Sequence, residues 1–77
     1  MKILLYGRLA EAIGREIEVA ERVPTVGELR DLLIKSYPPA ADILRRSRAV
    51  AANSLIGEDA PLSQIGIIEL LPPVCGG

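Results

Sequence analysis

Histidine, phenylalanine and tryptophan are absent from this chain of 77 residues, cysteine and methionine occur once each, and the formal net charge is only −1. Without histidine and with a single cysteine, there are too few imidazole or thiolate ligands to assemble a transition-metal site, so no metal is expected. One cysteine also excludes an intrachain disulfide. Nucleophilic and acid–base chemistry is poorly served, because no nucleophile has an evident base beside it and no glycine-rich loop cradles phosphate. A stand-alone enzyme is therefore not expected. Nine basic against 10 acidic residues give no basic stripe for a nucleic-acid backbone. The opening apolar run Ile3-Leu4-Leu5-Tyr6 is broken at once by Gly7-Arg8. That is too short for a signal-peptide core or a bilayer span, so the expected setting is the cytoplasm, with no membrane contact.

What the chain does have is aliphatic bulk: 49% of its residues are hydrophobic, which marks a globular chain rather than a disordered one. The core must be built from Leu, Ile, Val and Ala. A domain of this size buries about 60–65% of its unfolded surface and is stable by only a few kcal/mol. One body is expected over residues 1–71, followed by a tail over 72–77.

Along the chain, residues 3–6 read as a strand with Ile3 and Leu5 on one side and Leu4 and Tyr6 on the other. Leu9, Ala12 and Ile13 recur at helical spacing before Gly14, predicting a turn or two of helix that the glycine ends. Glu16-Ile17-Glu18-Val19 alternates strictly and predicts an antiparallel return strand with Ile17 and Val19 inward. Thr25-Val26-Gly27-Glu28 has the form of a capping box, the Thr25 hydroxyl accepting from the Glu28 amide and the Glu28 carboxylate reaching back to the Thr25 amide. The main helix starts there, with Val26, Leu29, Leu32 and Leu33 as its apolar stripe and Glu28, Arg30, Asp31 and Lys35 as its wet side; Pro38-Pro39 ends it. A short second helix is expected over residues 40–46, with Arg45, Arg46 and the following Arg48 as solvated charge, a basic patch for an acidic partner being the alternative reading. A third strand over residues 49–52, an Asn53-Ser54 turn, a short Leu55-Ile56 return, a loop over 58–66 and a final strand over 67–71 complete the order.

This is the pattern of an α+β domain, a β-grasp or ubiquitin-like roll in which a mixed sheet packs on one main helix. If Ile68 and Leu70 face that helix, Ile67, Glu69 and Leu71 lie on the open face. Leu4 and Tyr6 join them there if the first and last strands are neighbours. Leu4, Tyr6, Ile67 and Leu71 are then a candidate partner surface.

The ending Pro72-Pro73-Val74-Cys75-Gly76-Gly77 is the most informative segment. The prolines lack N–H groups and fix φ, so they end ladder pairing and favour a stiff exit. Gly76 and Gly77 carry no Cβ, so a partner can close on the backbone from every side and reach the terminal carbonyl.

With this ending, its Lys2-Ile3-Leu4-Leu5-Tyr6 opening, Pro24-Thr25-Val26 before the main helix and the Ala51-Ala52-Asn53 segment, the chain resembles the small, sulfur-carrying subunit of molybdopterin synthase over essentially its whole length. It departs from those relatives in having Leu70-Leu71 where aromatics often precede the prolines, and Gln64-Ile65-Gly66 in place of an acidic-glycine-acidic turn. The resemblance implies that Gly77 is the reacting residue. An E1-like adenylating enzyme would spend ATP on its carboxylate, a sulfurtransferase would supply sulfur to form a thiocarboxylate, and the tail of Pro72, Pro73, Val74, Cys75 and Gly76 would thread the large synthase subunit. Sulfur would pass to cyclic pyranopterin monophosphate, in a heterotetramer of two small and two large subunits. No cofactor would be bound by this chain. Cys75 falls at the variable position of the ending, and a thiol role beside the glycines is the alternative reading. The same tail also fits a sulfur carrier for thiamine thiazole, a ubiquitin-like protein modifier, or a non-covalent β-grasp module whose tail is incidental.

Overall fold

The structure, a computed structural model, describes residues 1–73. The expectations for Val74, Cys75, Gly76 and Gly77 lie outside the described residues. Strand β1 (Lys2–Leu5) leads into a short helix α1 (Gly7–Ala12) and returns as β2 (Glu16–Glu18). Helix α2 (Val26–Ser36) follows, then a 3-10 turn (Pro38–Ala40), helix α3 (Ala41–Arg46), and strands β3 (Arg48–Ala51), β4 (Ser54–Ile56) and β5 (Ile67–Leu71). The five strands form one sheet in the order β2-β1-β5-β3-β4. β1 and β5 run parallel at its centre, and every other pairing is antiparallel. The expected mixed sheet covered by one main helix is the fold.

Alternation places the core as the sequence predicts. Ile3 and Leu5 of β1, Ile68 and Leu70 of β5 and Ala49 of β3 are buried from one face of the sheet, with Val26, Leu29 and Leu33 of α2 in the same cluster. Leu9, Val19, Ala40, Leu44 and Leu62 close its edges. Leu32 and Ile17 are half-buried and pack against that cluster. Each fully buried Leu or Ile contributes about 1.5–3 kcal/mol of transfer free energy, which offsets the absence of large aromatics.

Three local expectations need correction. At the start of α2 the Glu28 amide does donate to Thr25 Oγ1 at 3.3 Å, but the Glu28 carboxylate takes the Thr25 hydroxyl, at 3.0 Å, rather than the Thr25 amide. A hydroxyl can donate and accept at once, so the side chains close on each other and only the Glu28 amide half of the box is formed.

Arg30 is not on a wet face; its side chain is 11% exposed. Helix α3 folds back beside α2 and brings its C-terminal carbonyls against this position. Arg30 Nη1 donates to Leu44 O at 2.6 Å, Ser47 O at 2.8 Å and Ser47 Oγ at 2.9 Å, while Nη2 meets Glu58 Oε2 at 2.6 Å. Carbonyls in the last turn of a helix have no partner within it, and a guanidinium fork is suited to gather them. The expected solvated charge is instead a clamp joining α2, the end of α3 and the segment after β4. Arg45, Arg46 and Arg48 are exposed, and Arg46 pairs with Asp42 at 2.7 Å.

The third correction concerns the β3–β4 hairpin. Ala51 pairs with Ser54, so the two-residue turn is Ala52-Asn53, not Asn53-Ser54. Both turn residues have positive φ, 52° for Ala52 and 66° for Asn53, the combination that suits the twist of a tight hairpin. Asparagine tolerates this region, whereas alanine adopts it at a cost of about 1–2 kcal/mol. Ala52→Gly is therefore expected to raise stability by about 0.5–1 kcal/mol after allowing for the looser unfolded chain. Urea denaturation checks this, and an unchanged or lower midpoint contradicts it.

Candidate functional site: the open sheet face and the exit of the tail

Parallel pairing of β1 and β5 sets Leu4 opposite Glu69, and β3 sets Val50 on the other side of Glu69. These outward positions are related by period two to the buried ones, so the open face is the uncovered side of the strands that build the core. Tyr6, Ile67 and Leu71 are 41%, 53% and 37% exposed, and Leu4 is half-buried. All four residues expected on a partner surface thus share one face. Val50 and Leu55, paired across β3 and β4 with Leu55 61% exposed, extend it. The sequence reading had not included these two; the alternation of Leu55 with Ile56 was the available signal.

The two central strands finish at the same end of the sheet. Two further steps of their register set Gly7 beside Pro72, and a Cβ on Gly7 would meet Pro72 Cγ at 3.0 Å. Gly7 also has φ +55°, a conformation that L residues rarely adopt. This glycine lets the chain turn from β1 into α1 while Pro72 lies against it. Pro72 and Pro73 are both half-buried. Val74, Cys75, Gly76 and Gly77, the reacting part of the expected site, fall outside the described residues.

On the open face the Tyr6 hydroxyl donates to Glu69 Oε2 at 2.7 Å. That hydrogen bond to Glu69 raises the Tyr6 pKa above the ordinary tyrosine value of 10.0, with partial desolvation and the adjacent negative charge acting in the same direction. Among the described residues no group of three or more His, Cys, Asp or Glu is placed to hold a metal, and no helix is long and apolar enough to cross a membrane.

A mixed sheet covered by one main helix, with its central strand running on toward the C-terminal segment, defines a ubiquitin-like β-grasp protein. The chain belongs to the ThiS family of ubiquitin-like sulfur carriers, with a match that spans residues 3–77 and so includes the glycine pair. Members of this family are generally non-catalytic. In fold it is similar to the crystal structure of SAMP1 from Haloferax volcanii, at a TM-score of 0.71 and 21% identity over 99% of this chain and 97% of that one. No curated protein matches it.

The Tyr6 contact has a readable consequence. In a Tyr37→Phe background, tyrosinate absorbance is expected to titrate with a midpoint above 10.0 and to return toward that value in Glu69→Gln. Because the bond needs the neutral phenol, its contribution to stability is complete below the unfolded-state value and is lost as pH rises through the folded one. A midpoint unaffected by Glu69→Gln contradicts the assignment.

Proposed function

We propose that the chain is the sulfur carrier of molybdenum cofactor synthesis, with Gly77 as its reacting residue and residues 72–77 as a tail that leaves a folded body of residues 1–71. A terminal carboxylate is ionised at neutral pH and a poor electrophile. Activation runs through attack of a carboxylate oxygen on the α-phosphorus of ATP at an E1-like enzyme, with pyrophosphate leaving. The terminal sulfur of a sulfurtransferase persulfide then displaces AMP to form an acyl disulfide, and a thiol cleaves that S–S bond, releasing the thiocarboxylate of Gly77 and leaving a disulfide on the donor side. The large synthase subunit directs that sulfur onto cyclic pyranopterin monophosphate, and two deliveries complete a dithiolene. The carrier supplies the sulfur and the docking surface; the enzymes supply ATP chemistry and catalysis.

The observation that carries this reading is the continuity of the open face with the tail. Strand β5 contributes Ile67 and Leu71 to the face and passes directly to Pro72, held against Gly7. An enzyme that grips Leu4, Tyr6, Ile67 and Leu71 therefore receives the tail at a fixed origin. Cys75 serves as a spacer between Val74 and the glycines.

A second reading, a carrier for thiamine thiazole, is favoured by membership of the ThiS family. It uses the same tail and a different acceptor, and the Pro72-Pro73-Val74 approach to the glycines favours the molybdenum pathway. The sulfur-loaded protein is expected to deliver sulfur to cyclic pyranopterin monophosphate on the large synthase subunit and not to thiazole synthase. The reverse preference overturns the assignment. A residue added beyond Gly77 locks the carboxylate into an amide, so a C-terminal extension is expected to abolish loading while an N-terminal tag is tolerated. A C-terminal fusion that still loads sulfur contradicts the chemistry.

A further inference from the structure

Glu69 is the charged residue at the middle of the open face, with Lys2 and Arg48 toward its two ends. By register it lies between Leu4 and Val50, and its same-face neighbours along β5 are Ile67 and Leu71. Once a partner covers this field, a carboxylate left without a cation is costly, because removing an unpaired charge from water is expensive. The Tyr6 hydroxyl bonded to Oε2 satisfies one oxygen but does not balance the charge. No ion pair among the described residues includes Glu69. Lys2, on the same face, pairs with Glu16 at 3.5 Å, and Arg48, opposite Leu71, makes no ion pair among the described residues.

We propose that Glu69 is a specificity-determining residue of this face, requiring an arginine or lysine at the centre of the apolar protein surface that docks on it. The inference rests on the reading of the chain as a carrier that presents its tail to an enzyme. Such an enzyme must cover the end of β5, because the tail leaves from Leu71 and Pro72. Arginine suits the site best: its planar fork reaches the remaining carboxylate oxygen while Tyr6 keeps the other. A second copy of this chain is the poorer occupant, since it brings two Glu69 carboxylates into one interface.

Calorimetric titration of full-length wild-type, Glu69→Gln and Glu69→Lys chains into the large molybdopterin synthase subunit, at low and high salt, tests the proposal. Glutamine keeps the size and an acceptor for Tyr6 but removes the charge. The expected result is binding weakened at least about tenfold by Glu69→Gln and further by Glu69→Lys, with a smaller salt dependence than wild type. Unchanged circular dichroism and melting temperature locate the loss in the interface. Equal or tighter binding by Glu69→Gln overturns the proposal and leaves the carrier reading standing; self-association of that variant in sedimentation then assigns Glu69 to keeping copies apart. A wild-type chain that does not bind the large subunit overturns the carrier reading for that acceptor, and the proposal with it.

Discussion

The parallel pairing of β1 with β5 is the constraint on which the rest of the molecule depends. Ile3 lies opposite Ile68, and both are fully buried. Two strands that run the same way cannot be joined by a tight turn, so the intervening chain must cross over the sheet, and α2 covers one face as it does so. The same pairing has an outer side. It aligns Leu4 with Glu69 and brings both strands to the same end of the sheet, where Tyr6 and Gly7 meet Leu71 and Pro72. Core, open face and tail origin are thus three consequences of one register. A slip of a single residue would exchange the buried and outward sets together.

Around that centre, the supporting contacts are polar and join segments distant in sequence. Arg30 gathers the last carbonyls of α3 and binds Glu58, so the helical layer and the long segment before β5 hold each other in place. The amides of Val26 and Gly27 donate to Ala60 O and Glu58 O, which ties the same segment to the start of α2. In a core made only of aliphatic side chains and a few small residues, such clamps supply orientation that apolar packing alone does not specify. The open face carries fewer such contacts, among the described residues the Tyr6–Glu69 bond and the exposed Lys2–Glu16 pair.

Much of this was legible in the sequence because period two and period 3.6 survive in a short chain. The alternation of Ile67 to Leu71 and of Ile3 to Tyr6 told which side each residue faces, and the Thr25 to Glu28 spacing marked the start of α2. The four residues expected on the open face are there for that reason. Most of what failed depends on contacts between segments distant in sequence. Arg30 reads as solvent-facing because a charged residue on a helix usually is, and only the return of α3 makes it a buried clamp. The Tyr6–Glu69 bond joins positions 63 apart in the chain, and the Gly7–Pro72 contact needs the same parallel register. Ala52 at positive φ runs against local preference, so the turn read one residue too late. Val50 and Leu55 entered the face through a hairpin register that this turn decides.

The central claim is that the body exists to present a C-terminal glycine for sulfur loading. The most direct measurement is the intact mass of the untagged protein after incubation with an E1-like activating enzyme, ATP and a sulfur donor. A gain equal to one oxygen replaced by sulfur, absent when Gly77 is deleted, is the predicted result. No gain with an activating enzyme shown to be competent on another carrier would contradict the account and leave a non-covalent β-grasp module in its place.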